Sequence, residues 1–189
     1  MQNVTITRVA TVVIGAALLT TLGVRAQQRS ADAAAVAPAM TALDYVEIEQ
    51  LVAKYARTVV SCVNSGYDYA DLYAEDGWFA PTRDGRVTNK WQGRERLAEA
   101  AGGGKGGCKD VAWNGVTHIL ANHVIAPAPE GAHGEVDLIA VGVDGDPHKV
   151  EGQGHYEDVY VRTPRGWRFQ SRTHHLVVRQ SAPPPASGK

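Results

Sequence analysis

The C-terminal part of the chain most limits what this sequence can fold into. From Val116 to Val178 it reads as consecutive long strands, and two of them flank the turn Thr163-Pro164-Arg165-Gly166. Two strand-like runs joined by a short turn that contains Pro and Gly are typical of a β-hairpin. Helical patterns precede this meander. The sequence therefore predicts an α+β domain in which a curved antiparallel sheet wraps around N-terminal helices and encloses a pocket.

Three helical segments are expected before the long strands. The first begins near Thr41, where Thr41 and Asp44 resemble a capping box. A short second helix is expected from Tyr67 to Tyr73, a first strand from Trp78, and a small third helix through Leu97. The apolar face of the first helix follows helical spacing and consists of Ile48, Leu51, Val52, Tyr55, Ala56 and Val59.

Length and charge limit the partners. The chain has 189 residues and a formal net charge of −1, which fits a single domain. This near-neutral balance gives no electrostatic basis for binding nucleic acid or an anionic membrane surface. The glycine-rich segment 102–107 lacks the Gly-Lys-Ser/Thr ending of a phosphate-binding loop, so we interpret it as a mobile rim or lid.

The N-terminal residues 1–26 resemble an export signal: a basic residue, an apolar run and a small-x-small site ending at Ala26. An uncleaved membrane anchor is the alternative, although the run is shorter than the roughly 20 residues that span a bilayer. We expect a flexible lead over 27–42, one domain over 43–179, a disordered tail over 180–189, and a secreted or periplasmic location. Cleavage would leave no membrane segment.

Export makes a disulfide the default for Cys62 and Cys108, an even pair in a chain that would meet an oxidising compartment. The bridge would tie the end of the first helix to the glycine-rich segment and contribute roughly 3–4 kcal/mol. Two buried thiols are the alternative. A metal site is not expected from these cysteines, since no ligands of zinc spacing surround them.

The order of these elements resembles the SnoaL-like branch of the nuclear transport factor 2-like superfamily, over about residues 43–178. The resemblance implies a cone-shaped domain with a deep pocket, frequently a homodimer through the outer sheet face. The superfamily includes polyketide cyclases, scytalone dehydratase-like enzymes, ketosteroid isomerases and binding domains that catalyse nothing. The segments that carry the resemblance are Ile48-Glu49-Gln50-Leu51, Tyr55-Ala56, Ala70 to Gly77, Gly93-Arg94-Glu95, Thr117 to Asn122, Gly154 to Asp158 and Gly166 to Phe169.

His118 is the leading catalytic candidate, because the resemblance places it where scytalone dehydratase-like enzymes carry a catalytic histidine. An imidazole can remove a carbon-bound proton or protonate a leaving hydroxyl. Strand alternation predicts Asn122 and Val124 on the same face as His118. Asn122 and Tyr156 would polarise a substrate oxygen. Tyr55, Leu120, Trp78 and Leu138 are expected to line the substrate pocket.

Two observations leave the function open. Related enzymes commonly carry an aspartate near the end of the first helix, where this chain has Val59-Val60. His174 and His175 are adjacent, so on a strand they point to opposite faces, and we expect no metal triad and no cofactor.

The sequence favours a cofactor-independent lyase or isomerase acting on a cyclic or aromatic molecule. The alternatives are a binding protein for an apolar metabolite and a subunit that assembles through the sheet face.

Overall fold

The computed structural model describes residues 39–109, 116–142 and 150–177. The expected signal, most of the flexible lead and the C-terminal tail lie outside these residues. Among those described there are three α-helices, with a 3₁₀ turn at Val63–Gly66. The helices are α1 (Ala42–Thr58), α2 (Tyr67–Ala70) and α3 (Arg94–Ala100). The strands are β1 (Tyr73–Arg83), β2 (Arg86–Val87), β3 (Trp91–Gln92), β4 (Thr117–Ala128), β5 (Gly131–Val141), β6 (Val150–Thr163) and β7 (Gly166–Leu176).

The strands form one curved, unclosed sheet in the order β2-β1-β7-β6-β5-β4, with β3 paired to β1. The four long C-terminal strands are antiparallel neighbours, and the predicted hairpin joins β6 to β7. β1 runs parallel to β7, which the sequence analysis did not foresee. It also begins earlier than expected, because α2 ends at Ala70 and the chain is already extended at Tyr73. The predicted α+β architecture is confirmed.

The cap of α1 fixes its first turn against the sheet. Thr41 and Asp44 form the predicted capping box. The indole N–H of Trp167 donates to Asp44 Oδ1 at 3.0 Å, and Arg162 also contacts that oxygen. The backbone N–H of Thr41, followed by the Trp167, Thr41 and Arg162 side chains, holds the pKa of Asp44 well below its usual range. The helix start is thereby joined to the β6–β7 hairpin.

Two β-bulges change which residues face the helices. In β4, Ala121 pairs with Asp137 but Val124 pairs with Glu135, so β4 carries one extra residue. In β7, Tyr160 pairs with Phe169 but Val159 pairs with Ser171, so Gln170 is extra. Each extra residue reverses the inward and outward alternation along the rest of its strand.

The core lies between α1 and the inner face of the sheet. α1 packs against β4 and β7, and its buried residues Ile48, Leu51, Val52 and Tyr55 are those that the helical spacing predicted. An aromatic cluster fills the centre, with ring centroids 5.2–5.9 Å apart. Its members are Tyr55, Tyr69, Tyr73, Tyr156, Tyr160 and Phe169. No helix in the described part of the chain has the length and apolar character needed to cross a bilayer.

The first part of the glycine-rich segment, interpreted above as a mobile rim or lid, packs closely against the 3₁₀ turn. Cys62 and Cys108 form the predicted disulfide, which closes a separation of 46 residues. Gly104 N–H donates to the Ser65 carbonyl at 2.7 Å. A Cβ added at Gly103 would lie 1.9 Å from that carbonyl oxygen, so only glycine allows the two backbones to approach this closely. Gly103 and Gly104 therefore serve close packing beside the disulfide.

Candidate active site

The inner face of the sheet brings together polar groups that lie far apart in the sequence. His118 comes from β4, Tyr156 from β6 and His174 from β7, while α1 supplies Tyr55. Tyr55 and Tyr156 are almost completely buried, and both histidine rings are half-buried. The site is therefore a largely dry interior in which charged forms are penalised.

His118 lines an open cleft at the edge of this interior. An open cleft of about 490 Å³ separates its strand from α1. Burial, with a smaller effect of the Arg172 charge, lowers the pKa of His118 to about 4. The Nδ1 atom is buried and has no hydrogen-bond partner among the described residues. The imidazole is therefore neutral at physiological pH. The cleft is lined by Ala53, Ala56, Arg57, Val60, Val116, Thr117, His118 and Leu120.

His174 is a second interior histidine that the sequence analysis did not select. Its ring lies 4.7 Å from that of Tyr156, centroid to centroid. Burial, followed by the charges of His118 and Arg172, lowers the pKa of His174 to about 4. Its Nε2 is also buried and unpartnered within the described ranges. The interior thus holds two neutral imidazoles close enough to influence each other.

Tyr156 carries a buried hydroxyl that contacts Tyr55. The Tyr55 hydroxyl donates to the Tyr156 oxygen at 3.3 Å. Because the bond runs in that direction, the Tyr156 proton has no acceptor in the described part of the chain. Desolvation raises the pKa of Tyr156 well above its ordinary value. It is therefore a neutral hydrogen-bond donor at any physiological pH.

The central charged group is Arg172, whose side chain is completely buried. Its Nε donates to Asp158 Oδ1 at 2.7 Å and its Nη2 to Oδ2 at 2.6 Å. The guanidinium also lies 3.9 Å from the ring centroid of Tyr55 and 4.3 Å from that of Tyr156. Burial opposes the charge, but the attraction of Asp158 outweighs it and raises the pKa of Arg172 well above its ordinary value. A permanent cation is therefore fixed against the rings of both tyrosines.

One donor of this guanidinium remains unused. Arg172 Nη1 is buried and has no hydrogen-bond partner among the residues described. A buried unsatisfied donor costs about 1–3 kcal/mol, and more when charged. On the other side of the ion pair, the Tyr160 hydroxyl donates to Asp158 at 2.6 Å and lies 3.1 Å from His123 Nε2. Both oxygens of Asp158 are therefore engaged, whereas Arg172 Nη1 can still donate a hydrogen bond to a ligand oxygen.

The structure does not bring Asn122 to this site. Asn122 lies in the β4 bulge with φ 53°, and its exposed amide donates to Asp137 Oδ2 at 2.8 Å. Simple alternation put Asn122 and Val124 on the His118 face. The bulge instead turns Val124 outward and His123 inward, toward Tyr160. The predicted shared face of His118 and Asn122 is therefore wrong.

The remaining predicted residues have mixed positions. Leu120 borders the cleft beside His118, and Leu138 is buried in the core. Trp78 lies beside Ser171 in the parallel pairing, on the face opposite Phe79, and the Lys90 ammonium covers its ring at 4.5 Å. Trp78 therefore does not reach the interior.

The buried ion pair escaped sequence reasoning because of the second bulge. Counting from the hairpin turn, where Thr163 pairs with Gly166, places Ser171 opposite Asp158. The extra residue in β7 places Arg172 there instead. The sequence did contain a signal for this ion pair, because Asp158 alternates with Tyr156 and Tyr160 on the inward face. A buried carboxylate requires a cationic or hydrogen-bonding partner.

Comparison with known families agrees with this architecture. The model of a SnoaL-like domain matches residues 40–173. This chain belongs to the SnoaL-like family. Comparison with curated proteins gives no match.

Solved structures show the same fold at low sequence identity. A protein of unknown function with a cystatin-like fold from Nostoc punctiforme has a TM-score of 0.61 at 20% identity, covering 75% of this chain and 97% of that one. A nuclear transport factor 2-like protein from Novosphingobium aromaticivorans has a TM-score of 0.59 at 20% identity, covering 88% and 95%. A proposed scytalone dehydratase from the same organism has a TM-score of 0.52 at 17% identity, covering 78% and 96%.

Proposed function

We propose that this SnoaL-like protein binds a small cyclic or aromatic molecule that carries oxygen, and acts on it as a cofactor-independent lyase or isomerase. The observation that carries the proposal is the combination of neutral imidazoles with a fixed buried cation whose Nη1 is unpartnered. The similarity to a proposed scytalone dehydratase agrees with a dehydration, although it supports the fold alone.

In this proposal His118 removes a proton from the carbon next to a substrate carbonyl. The electron pair of the broken C–H bond moves onto the carbonyl oxygen and forms an enolate. Hydrogen bonds from Arg172 Nη1 and the Tyr156 hydroxyl stabilise the negative charge on that oxygen. These hydrogen bonds are stronger in a dry interior than in water. In a lyase the enolate reforms the carbonyl and expels a β-hydroxyl, which takes the proton from the histidinium and leaves as water. In an isomerase the proton returns to a different carbon.

His174 is the second imidazole available to move a proton, since its ring lies against Tyr156. Its role would be to relay the proton that His118 removes, delivering it to the leaving hydroxyl in a lyase or to the product carbon in an isomerase. Asn122 has no part in this scheme because its amide lies on the outer face, bonded to Asp137. Tyr55 orients Tyr156 through their shared hydrogen bond.

A non-catalytic binding protein is the second candidate. Specific support comes from His118, whose ring nitrogen Nδ1 meets no carboxylate in the described ranges and whose pKa of about 4 makes it a weak base. Asp158 is the buried carboxylate of this site, and it already accepts hydrogen bonds from Arg172 and Tyr160. A protein with the same hydrogen-bond donors and no catalytic activity would bind an oxygen-bearing metabolite and shelter it.

The test separates binding from chemistry. Cyclic hydroxyketones and phenolic ketones are screened by ligand-observed NMR for binding and by mass spectrometry for loss of water or isomerisation. His118→Gln should abolish turnover and retain binding, while His133→Gln, at an exposed histidine paired with Glu130, should change neither. Turnover that survives in His118→Gln contradicts the mechanism. Binding by the parent protein without turnover across the set supports the second candidate.

The pH dependence of turnover adds an independent check. Because the pKa of His118 is about 4, the acid limb of kcat/KM should lie near pH 4 and the rate should stay flat from pH 5 to 7. A limb near pH 6.5 would assign the essential base to a solvated histidine and contradict the interior site.

Export and assembly remain parts of the proposal. The disulfide is compatible with an oxidising compartment, and sequencing of the mature N-terminus from a secreting host would test cleavage after Ala26. The outer sheet face exposes Ile119, Val124 and Ile139, a surface suited to a second copy of the chain. Sedimentation showing a monomer at micromolar concentration would contradict the homodimer.

A further inference from the structure

The outer face of the sheet carries a cluster of metal-ligating side chains on β6 and β7. His155 and His175 are direct cross-strand partners, and Glu157 lies two residues from His155 on the same face. The two imidazoles are stacked with centroids 4.6 Å apart. The adjacent pair His174-His175 does split between the two faces, as expected. The structure brings His155 to His175 instead, through the strand register.

The ligand atoms have the spacing of a metal site. His175 Nε2 lies 3.1 Å from Glu157 Oε2, and His155 Nε2 lies 3.9 Å from Glu157 Oε1. One ligand atom from each of the three residues lies within 4.8 Å of the others. Tetrahedral zinc with bonds of about 2.0–2.1 Å places its ligand atoms about 3.3 Å apart. Side-chain rotations that also tilt the two stacked imidazoles toward each other would bring all three onto one ion.

Thr82 contacts the ring nitrogen of His175 that lies away from Glu157. The Thr82 hydroxyl lies 3.3 Å from the His174 carbonyl and 3.3 Å from His175 Nδ1. In the tautomer with its proton on Nδ1, the ring donates to the Thr82 oxygen and Nε2 carries the lone pair. Orientation of a ligating imidazole through its second nitrogen is the usual arrangement at metal sites.

This tautomer leaves two acceptors facing each other. His175 Nε2 is buried and has no hydrogen-bond partner among the described residues, although the Glu157 carboxylate is 3.1 Å away. A lone pair opposite a carboxylate oxygen is unfavourable unless a cation lies between them. The side chains of His155, Glu157 and His175 are 42%, 55% and 29% exposed, so solvent reaches the cluster from the side of His155 and Glu157.

We propose that His155, Glu157 and His175 form a Zn²⁺ site on the outer sheet face, with a fourth position open to water. Two imidazoles and one carboxylate suit a borderline transition-metal ion better than Mg²⁺ or Ca²⁺, which prefer oxygen ligands. Thr82 is a positioning residue for this site. The interior groups lie on the opposite face of the sheet, so the site does not depend on the proposed function.

The test measures Zn²⁺ binding to tag-free full-length protein by competition with a chromogenic chelator at pH 7.5. The parent protein should bind one equivalent with micromolar or tighter affinity, and excess Mg²⁺ should not compete. His175→Ala should weaken binding at least about 100-fold, and Thr82→Val about 10–100-fold, as is typical for loss of an outer-shell partner. Ring ¹⁵N shifts of His155 and His175 should move on addition of one equivalent.

The matched control is His133→Ala, which removes an exposed histidine that faces a single carboxylate, Glu130, at 2.5 Å. It should bind zinc like the parent. Circular dichroism of every variant checks that the fold is kept. Absence of one-equivalent binding tighter than 100 µM, or equal affinity in parent and His175→Ala, would overturn the site. In that case His175 and Glu157 form only a surface contact, at 3.1 Å.

Discussion

The strongest energetic prediction concerns the charge buried at the centre of the domain. Asp158→Asn keeps the shape of the side chain but removes the negative charge that balances Arg172. Both side chains are 0% exposed, so the guanidinium would remain in the interior without its counter-ion. At an effective dielectric constant near 20 and about 4 Å, the lost attraction is about 4 kcal/mol. We expect the free energy of unfolding to fall by about 3–5 kcal/mol.

The chain contains a matched control for this substitution. Arg94 and Asp71 form the same two-fold contact on the surface, with Nε to Oδ1 at 2.6 Å and Nη2 to Oδ2 at 3.0 Å. These side chains are 56% and 40% exposed. Solvent screens such pairs, so Asp71→Asn should cost less than about 1 kcal/mol. Contact geometry is equivalent in the two pairs, and burial is the variable that differs.

Urea unfolding followed by circular dichroism at pH 7 measures both variants, with the disulfide intact. The cycle is completed by Arg172→Met and by the double variant. Because each single substitution leaves one buried polar group without its partner, the double variant should cost at least about 2 kcal/mol less than the sum of the singles. Costs that add within about 0.5 kcal/mol, or a loss for Asp158→Asn no larger than for Asp71→Asn, would refute the reasoning.

Three further outcomes follow from burial and packing. The pKa values of His118 and His174, about 4 in the folded protein against 6.5 in ordinary solvent, mean that only the unfolded chain gains these protons between pH 6.5 and 4. Stability should therefore decrease across that window, by up to about 3 kcal/mol per histidine, and thermal unfolding that is flat from pH 7 to 4.5 would contradict it. Reduction of the disulfide should lower the free energy of unfolding by about 4 kcal/mol in urea titrations, and an unchanged midpoint with dithiothreitol would argue against the bridge. Gly103→Ala should destabilise the domain strongly because its Cβ would meet the Ser65 carbonyl, whereas Gly106→Ala, with no atom within 4 Å, should have little effect; equal melting temperatures would reject the packing account.

The sequence determined the features that depend on local patterns. Helical spacing identified the buried face of α1, the capping box gave its start, and the turn at Thr163–Gly166 gave the β6–β7 hairpin. These signals act within a few residues along the chain, so no knowledge of distant contacts is needed to interpret them. They were sufficient for the α+β fold, and the even pair of cysteines favoured the disulfide that the structure shows.

Tertiary structure decided which side chains meet. One extra residue in β4 moved Asn122 outward and His123 inward, and one extra residue in β7 placed Arg172 opposite Asp158. A strand alternates with a period of two, so a single bulge exchanges the two faces for every later residue. Whether a bulge forms depends on packing against the neighbouring strand and helix. The sequence therefore determined the framework, while the composition of the interior and of the outer histidine cluster followed from the three-dimensional register.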